Sequence, residues 1–394
     1  MWRLAALPLA LAVPRFDINL DAPPRERFVE VATYYKEEIL AMMKAWEEVL
    51  ERDFAPSEQA DWVRFGAPQS EEFQEELLGM HEAVGSNVSL NSMLLFNLLY
   101  EMGSPTTACS GFLAANDDGQ VIHGRNMDYM LQFTMPDGAR KDWPDITFEA
   151  TFWKGGQKLF LAISWPLYLG VHTGMRFGGW TFEQNTRLGM NQKDLNLAAA
   201  KEGGIMYGYK IRHLLETIPT FETALREINA TQFMAPQYFM LSGAGNNEGA
   251  VISMDRMGAQ SLINTPAIRR LGGANWFLLQ TNDDANKLPL DFRRPVVKSY
   301  LHWYTKEDVS VNFVWDVIHS FPLKNALSVF TWVAVPRTNY SQLVLRGQEP
   351  RLEEVALLVE PHTDEVHLLQ RFLKRHGTKG WKHVISNEGL RLEP

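Results

Sequence analysis

At Gly103-Ser104-Pro105 the sequence changes its period, and the two sides of that break follow different geometries. Upstream, Phe28, Val31, Tyr35, Ile39, Met42, Met43, Trp46 and Leu50 recur every three or four residues between glutamates and lysines, which predicts an amphipathic helix over 27–52. A second helix with a polar start is expected over 71–84. A third, over 90–102, is apolar almost all round and should be buried; the Gly-Ser-Pro break stops it. Downstream, 111–115 and 121–128 flank the turn Asp117-Asp118-Gly119 and read as a hairpin. Ile146, Phe148, Ala150 and Phe152 alternate with Thr147, Glu149 and Thr151, a period of two. The turn Lys154-Gly155-Gly156 leads to a strand over 158–165, and further strands are expected at 238–242, 250–254, 276–281 and 328–335. Helical patterns lie between them at 209–216, 221–228, 295–303 and 307–319. Antiparallel hairpins with helices in blocks predict a layered α+β domain, not a parallel nucleotide-binding sheet.

The sequence has one cysteine in 394 residues, which excludes an intrachain disulfide framework and every cysteine-rich zinc pattern. A chain this long can bury enough core to need neither. A net charge of -9 argues against a nucleic-acid partner, because phosphate binding leans on lysine and arginine. No apolar run reaches the ~18 residues needed to span a bilayer. Walker, G-x-G-x-x-G, H-E-x-x-H and G-x-S-x-G motifs are absent, and the ten histidines are scattered, with His362 and His367 on a charged stretch. Neither a metal nor another cofactor is implied.

Residues 1–12 place Arg3 ahead of an apolar run, with small Ala10 and Ala12 at its end, and read as a secretory signal peptide. The alternative is an ordinary N-terminal helix or tail. A secretory route leaves the lone thiol unpaired in an oxidising compartment. Asn87, Asn229 and Asn339 stand in N-x-S/T sequons and are glycosylation candidates. The stretch 347–394 is charge-rich, with a helical pattern at 364–375, and reads as a C-terminal extension of unknown role.

The thiol is Cys109, which follows Pro105, Thr106, Thr107 and Ala108 and stands where the strand region begins. A lone cysteine is most often a small buried hydrophobe. Three features point elsewhere. Cys109 marks a junction between two architectures. The facing strand carries the polar run His123-Gly124-Arg125-Asn126-Met127-Asp128. Arg125 and Asp128 differ by an odd number of positions, so they cannot both be outward residues of one alternating strand. The hairpin brings both near Cys109, and an arginine beside a thiol favours the thiolate.

Cys109, with Arg125 and Asp128 inside HGRNMDY, resembles the cholylglycine-hydrolase superfamily of N-terminal-nucleophile (Ntn) amidases. Within it, the chain is most similar to the acid ceramidase and N-acylethanolamine acid amidase family. PRFDINLDAPPRERF at 14–28 resembles the mature start of those enzymes, and NVSLNSMLLFNLLYE at 87–101 resembles the helix leading to their nucleophile. YLGVHTG at 168–174 is similar to one of their strands, and QTNDD around Asn282 and DFRRP around Arg293 to their later motifs. The resemblance runs from about Pro14 to about Arg346.

The resemblance implies a four-layer αββα Ntn-hydrolase sandwich with an N-terminal helical segment. It implies a precursor that cuts itself at Ala108–Cys109 into a helical α-subunit (13–108) and a catalytic β-subunit (109–346), an α/β heterodimer from one chain. The freed α-amine, with an ordinary pKa of about 7.7–8.0, would relay the thiol's proton without a histidine. By resemblance Asp128 orients that amine, Arg125 supports the thiolate, Asn282 is the oxyanion donor and Arg293 balances charge. From the residues alone, Asn282 also reads as a turn residue and Arg293 as a surface ion pair. The implied substrate is a fatty-acyl amide, an N-acylethanolamine or a ceramide, in a lysosomal or secreted setting. Trp62, Val63 and Phe65, near a loop, are candidates for an acyl channel or a peripheral membrane contact; core packing explains them equally. The chain also departs from the pattern. Asn185-Thr186-Arg187 stands where the relatives have Asn-Glu-Arg, which leaves Asn185 and Thr186 as candidates for a second oxyanion or cleavage contact, with Glu183 three residues away. No second cysteine can tie the two halves. Two alternatives stay open: a different amide, such as a conjugated acyl-amino acid or a penicillin-like side chain, and a non-catalytic lipid-binding relative.

Overall fold

Past the break, the alternating segments become strands of two stacked sheets. The computed structural model describes residues 13–68, 70–103, 107–188, 190–261, 266–284, 292–348, 382–386 and 389–393. The chain divides into two units, Met1–Gly347 and Gln348–Pro394. In the first unit the strands are β1 (Arg15–Asn19), β2 (Thr107–Ala115), β3 (Val121–Tyr129), a short hairpin of β4 (Gln132–Thr134) and β5 (Arg140–Asp142), β6 (Phe148–Lys154), β7 (Gln157–Ser164) and β8 (Thr173–Arg176). They continue with β9 (Trp180–Thr186), β10 (Gln237–Gly243), β11 (Gly249–Asp255), β12 (Gly258–Ala259), β13 (Ile268–Arg270), β14 (Phe277–Gln280), β15 (Ser328–Val335) and β16 (Tyr340–Leu345). The larger sheet is ordered β1-β6-β7-β8-β9-β10-β11-β12, with β13 on β11, and the smaller is ordered β14-β2-β3-β15-β16. The ladders described in these two sheets are antiparallel except β1 with β6, which is parallel.

Helices α1 (Val29–Tyr34), α2 (Lys36–Asp53), α3 (Pro56–Phe65), α4 (Glu71–Val84) and α5 (Leu90–Asn97) precede β2, and the four-residue α6 (Trp143–Ile146) precedes β6. Between β9 and β10 lie α7 (Lys193–Lys201), α8 (Tyr207–Thr217) and α9 (Phe221–Ala230); between β14 and β15 lie α10 (Arg293–Leu301) and α11 (Val311–His319). The inner faces of the sheets meet where Gly111 of β2 lies against Glu183 and Met240. Val314 and Ile318 of α11 press on the outer face of the smaller sheet at Gly124, and α8 and α9 pack on the larger sheet. This is the four-layer αββα sandwich that the resemblance implies. Its layering explains β3: sheet on one side and helix on the other bury all nine of its residues, so the polar run of HGRNMDY is confined inside the protein.

The local chemistry accounts for most element ends. Pro56 opens α3 at a position where a missing N–H is harmless. Ser70 and Ser89 cap α4 and α5 by accepting from Phe73 N and Ser92 N. Several expectations need correcting. The pattern over 27–52 is not one helix: it breaks at Tyr35, whose φ/ψ of -98°/19° separates α1 from α2. The third helix ends at Asn97, not at 102, and 98–103 form turns. Trp62, Val63 and Phe65 lie in the last turn of a helix, α3, beside the loop that begins at Gly66. Of 168–174, only Thr173 and Gly174 enter a strand. β1 has no counterpart among the expected strands; it adds the N-terminal segment to the edge of the larger sheet in the register Arg15↔Glu149 to Asn19↔Trp153. In the second unit, β17 (Lys382–Ser386) and β18 (Gly389–Glu393) form an antiparallel hairpin. The expected signal peptide at 1–12, the breaker residues 104–106 and the helical pattern at 364–375, with His362 and His367, lie outside the described residues.

Candidate active site

Cys109 sits on β2 opposite Met127 of β3, and it is fully buried. Alternation places Arg125 and Met127 on one face of β3, so both reach the sulfur. Arg125 Nη2 lies 3.7 Å from Cys109 Sγ and Met127 Sδ lies 3.6 Å from it. The guanidinium is fixed from the other side: Nη2 donates to the Gln184 carbonyl at 3.0 Å and Nη1 to the His172 carbonyl.

The peptide unit at the cysteine is held at both polar atoms. Cys109 N–H donates to Asn282 Oδ1 at 2.8 Å, and its carbonyl accepts from Arg293 Nη1 at 3.0 Å. Arg293 Nη2 donates to the same Asn282 Oδ1 at 2.8 Å, and Nη1 lies 3.5 Å from Asp128 Oδ2. Asp128 accepts from Ser328 Oγ at 2.6 Å and from Asn325 Nδ2 at 2.9 Å. Cys109, Arg125, Asp128, Asn282 and Arg293, drawn from β2, β3, the end of β14 and the start of α10, therefore converge on one buried cluster. Arg293 is buried there, so its reading as a surface ion pair is excluded.

Two geometric details differ from the expected roles. In the unbroken chain the Cys109 N–H goes to Asn282, not to Asp128. The Asn282 amide presents its oxygen to the cysteine, because its Nδ2 is committed to the Thr186 carbonyl at 2.8 Å. Two donors on one side and a carbonyl on the other fix that orientation. Of the second-oxyanion candidates, Asn185 Nδ2 donates to the Gln280 carbonyl at 3.3 Å, while its buried Oδ1 has no partner among the described residues. Thr186 meets the site through its backbone carbonyl; its hydroxyl accepts from Gln184 Nε2 at 3.2 Å. Ala108 is opposite Asp128 in the ladder.

Electrostatically the cluster is at rest. Burial pushes the Cys109 thiol up to about 11; Arg125 opposes that rise, and Asp128 and Glu183 add to it. Burial also raises the Asp128 carboxyl to about 6 against the pull of Ser328, Arg293, Asn325 and Arg125. The motifs do not single out the fully buried pair of His123 Nε2 and Glu183 Oε2 at 2.8 Å. Alternation along HGRNMDY puts His123 on the face of Arg125, and that is the signal the sequence carries for it.

An open cleft of about 600 Å³ reaches β3 at Tyr129, next in sequence to Asp128; its lining includes Trp46, Val49, Phe96, Leu99 and Trp143, with Arg52 and Lys193 among its polar residues, and none of the five cluster residues. Tyr129 is the second residue beyond Met127 on β3. Trp62 is buried in the core and does not line it, and Phe65 borders a separate groove of about 290 Å³. The sequon residues Asn87, Asn229 and Asn339 are exposed, although Asn339 Oδ1 accepts from Gly178 N at 2.5 Å. Among the described residues, no three His, Cys, Asp or Glu side chains gather as a metal site, and no helix is long and apolar enough to cross a membrane.

The comparisons with known proteins agree in direction. A family model described as the beta subunit of N-acylethanolamine-hydrolyzing acid amidase matches residues 12–73. That description labels the N-terminal part "beta", the reverse of the α/β naming used above. Acid ceramidase of Homo sapiens is 28% identical over 340 residues, 81% of this chain and 82% of the relative. Acid ceramidase of Mus musculus is 28% identical over 335 residues, with the same coverage of 81% and 82%. Among solved structures, the Caenorhabditis elegans N-acylethanolamine-hydrolyzing acid amidase ortholog matches with a TM-score of 0.50 and 28% identity, covering 58% of this chain and 93% of that one.

Proposed function

We propose, from the premise that this chain belongs to the acid ceramidase and N-acylethanolamine acid amidase family and is an N-acyl amide hydrolase, that Cys109 is its nucleophile and that the chain activates itself by cutting before that residue. The observation that carries the reading is the clamp on Cys109: its N–H on Asn282, its carbonyl on Arg293 and its sulfur beside Arg125. A structural cysteine needs none of these contacts.

In the first reaction Cys109 Sγ attacks the Ala108 carbonyl carbon. The Ala108–Cys109 C–N bond breaks, the nitrogen takes up a proton, and Ala108 is left as a thioester on the sulfur. Water then releases the Ala108 carboxylate and the thiol. The new amine of Cys109 lies where its N–H did, against Asn282 Oδ1, and an ordinary α-amine titrates near neutrality and can take the thiol's proton. In the second reaction the thiolate attacks the acyl carbon of the substrate. The amine of the product leaves with that proton, and water releases the fatty acid from sulfur. Arg125 stabilises the thiolate, Asp128 with Arg293 keeps the cluster's charge in balance, and the Asn282 amide is the candidate oxyanion donor, a role that requires its Nδ2 to leave the Thr186 carbonyl.

The apolar cleft supports a fatty-acyl substrate, since each methylene it removes from water contributes ~0.8 kcal/mol. N-acylethanolamines and ceramides both present such a chain. The signal-like residues 1–12 support a secretory or lysosomal route. The deciding experiment is intact mass and hydrolysis after incubation at acidic pH, for the native chain and Cys109→Ala, against a panel of ceramide and N-acylethanolamine. The native chain is expected to split at Ala108–Cys109 and turn over at least one substrate, and the variant to do neither. A Cys109→Ala chain that still cleaves and hydrolyses would refute the nucleophile; a native chain that binds both lipids but consumes neither would make it a lipid-binding relative.

A further inference from the structure

His123, Arg125 and Met127 follow one another along one face of β3, and β2 sets Gly111 opposite Arg125 and Cys109 opposite Met127. The residue covering this face from the larger sheet is Glu183 of β9, fully buried. Glu183 Oε2 lies 2.8 Å from His123 Nε2, and His123 Nδ1 lies 2.8 Å from Thr181 Oγ1. Thr181 Oγ1 is in turn 2.6 Å from Ser242 Oγ. The other carboxylate oxygen, Oε1, has no partner among the described residues, and neither has Arg125 Nε. The carboxylate occupies the space that a side chain at position 111 would need: a Cβ on Gly111 would overlap both Glu183 oxygens and Met240 Sδ.

A buried guanidinium held only by carbonyls and sulfurs is an uncompensated charge, and such charges are costly. Asp128 cannot supply the counter-charge on this face, because its position has the opposite parity and its oxygens are taken by Ser328, Asn325 and Arg293. We propose that Glu183, seated in the space left by Gly111 and clamped by His123, is the positioning residue that balances Arg125 and holds its guanidinium against Cys109 Sγ. This rests on the reading of Cys109 as the nucleophile. The charged and titratable groups facing Glu183 are His123 and Arg125 from β3 and Cys109 from β2; β8 and β10 place Thr173 and Met240 alongside. The carboxylate therefore acts in two opposed ways. Its charge balances Arg125 across the face, with no ion pair between the two, which favours the thiolate, and the same charge opposes the thiolate directly.

The test uses the full chain with Glu183→Gln, Gly111→Ala and Cys109→Ala, assayed on a palmitoyl N-acylethanolamine across a pH series. Glu183→Gln keeps the shape and a hydrogen bond to His123 but removes the charge. Its kcat is expected to fall by roughly ten- to a hundredfold, the penalty of a misplaced catalytic group, with KM unchanged. Its thiol-dependent limb should also move to higher pH, because the support of Arg125 for the thiolate outweighs the opposing charge of Glu183 and both are lost together. Gly111→Ala displaces only the flexible ends of Glu183 and Met240, so it should fold and lose kcat as well; it carries the test if Glu183→Gln does not fold. A Glu183→Gln enzyme with native kcat, or one slowed with an unmoved pH limb, overturns the proposal. If Cys109→Ala is active too, the nucleophile reading fails instead.

Discussion

Glu101 offers the sharpest test of the physics around the proposed cleavage segment. It stands eight residues before Cys109, fully buried, with Oε1 accepting from Tyr207 N at 3.1 Å and Oε2 without a partner among the described residues. Tyr207 is the first residue of α8, so this carboxyl ties the end of the N-terminal segment to a helix of the larger sheet's outer layer. Burial raises it from 4.5 to about 7, outweighing the backbone hydrogen bonds that favour its ionised form. A carboxyl raised in the folded state binds its proton more readily there than in the unfolded chain. Its contribution to folding is therefore complete below about pH 4.5 and is lost as pH rises through about 7.

The replacement Glu101→Gln removes that titration. Each tenfold difference in proton affinity between folded and unfolded chain is worth ~1.36 kcal/mol. The ionised carboxyl therefore destabilises the fold by roughly 3 kcal/mol near pH 7.5 and by less than ~0.5 kcal/mol near pH 4.5. The glutamine carries a penalty of its own, an amide N–H₂ where Oε2 lacked a partner, but that penalty does not depend on pH. The measurable quantity is the double difference. Relative to the native chain, the variant should gain roughly 2.5–3 kcal/mol between the two pH values. Unfolding entropy of ~2.1 cal/mol/K per residue over ~350 residues converts this to about 4 °C in Tm. Differential scanning fluorimetry of Cys109→Ala and Cys109→Ala/Glu101→Gln at both pH values measures it without interference from chain cleavage. A Tm difference between the two chains that is the same at both pH values refutes the reasoning.

Two further outcomes are expected. Arg212→Met removes the bidentate partner of the fully buried Glu76, whose oxygens accept at 2.5 and 2.6 Å, and should cost ~3 kcal/mol or more by urea unfolding, since a buried carboxylate is left with Arg27 alone. Val49→Trp narrows the 600 Å³ cleft from α2 and should raise KM for a long-chain amide about tenfold, ~1.4 kcal/mol, while leaving a short-chain amide unaffected; equal effects on both would remove the cleft from the acyl site.

Legibility of the sequence follows the range of the forces involved. α4 and β15 are readable to the residue, because a serine cap and a run of apolar β-formers are local. β6 shows its inside and outside by alternation alone. β1 is hidden: five residues carry too little pattern, and its parallel partner is more than a hundred residues away. The break at Tyr35 is hidden for the opposite reason, since the apolar stripe continues across it while the backbone does not. At the site, the motif spacing locates Cys109, Arg125 and Asp128 on paired strands. It cannot reveal that Asn282 presents its oxygen, because that depends on Thr186 lending a carbonyl from the other sheet. The sequence marks Glu183 only as a neighbour of Thr186; the role proposed for it rests on facing Gly111, a fact of sheet stacking rather than of sequence.

The lone cysteine raises a mechanical question that the fold answers. If the chain is cut before Cys109, nothing covalent joins the pieces, yet the N-terminal piece does not form a layer of its own. Its β1 is hydrogen-bonded along β6, extended by Leu20 N–H to the Trp153 carbonyl at 2.8 Å and by Glu149 N–H to the Pro14 carbonyl at 3.0 Å. Its Glu76 holds Arg212 of α8 in a buried pair, while Arg27 closes the same network from the N-terminal side. Phe16, Ile18, Met42, Trp46 and Phe96 share one core with Phe148, Phe152, Trp165 and Phe239. Thr107 and Ala108 remain paired with Tyr129 and Asp128 in the ladder that a cut would end. Separation would require opening a sheet edge, a buried ion pair and the main core together, and that is unfolding rather than dissociation. The arrangement makes a disulfide unnecessary, and it leaves the only thiol of the chain free for chemistry.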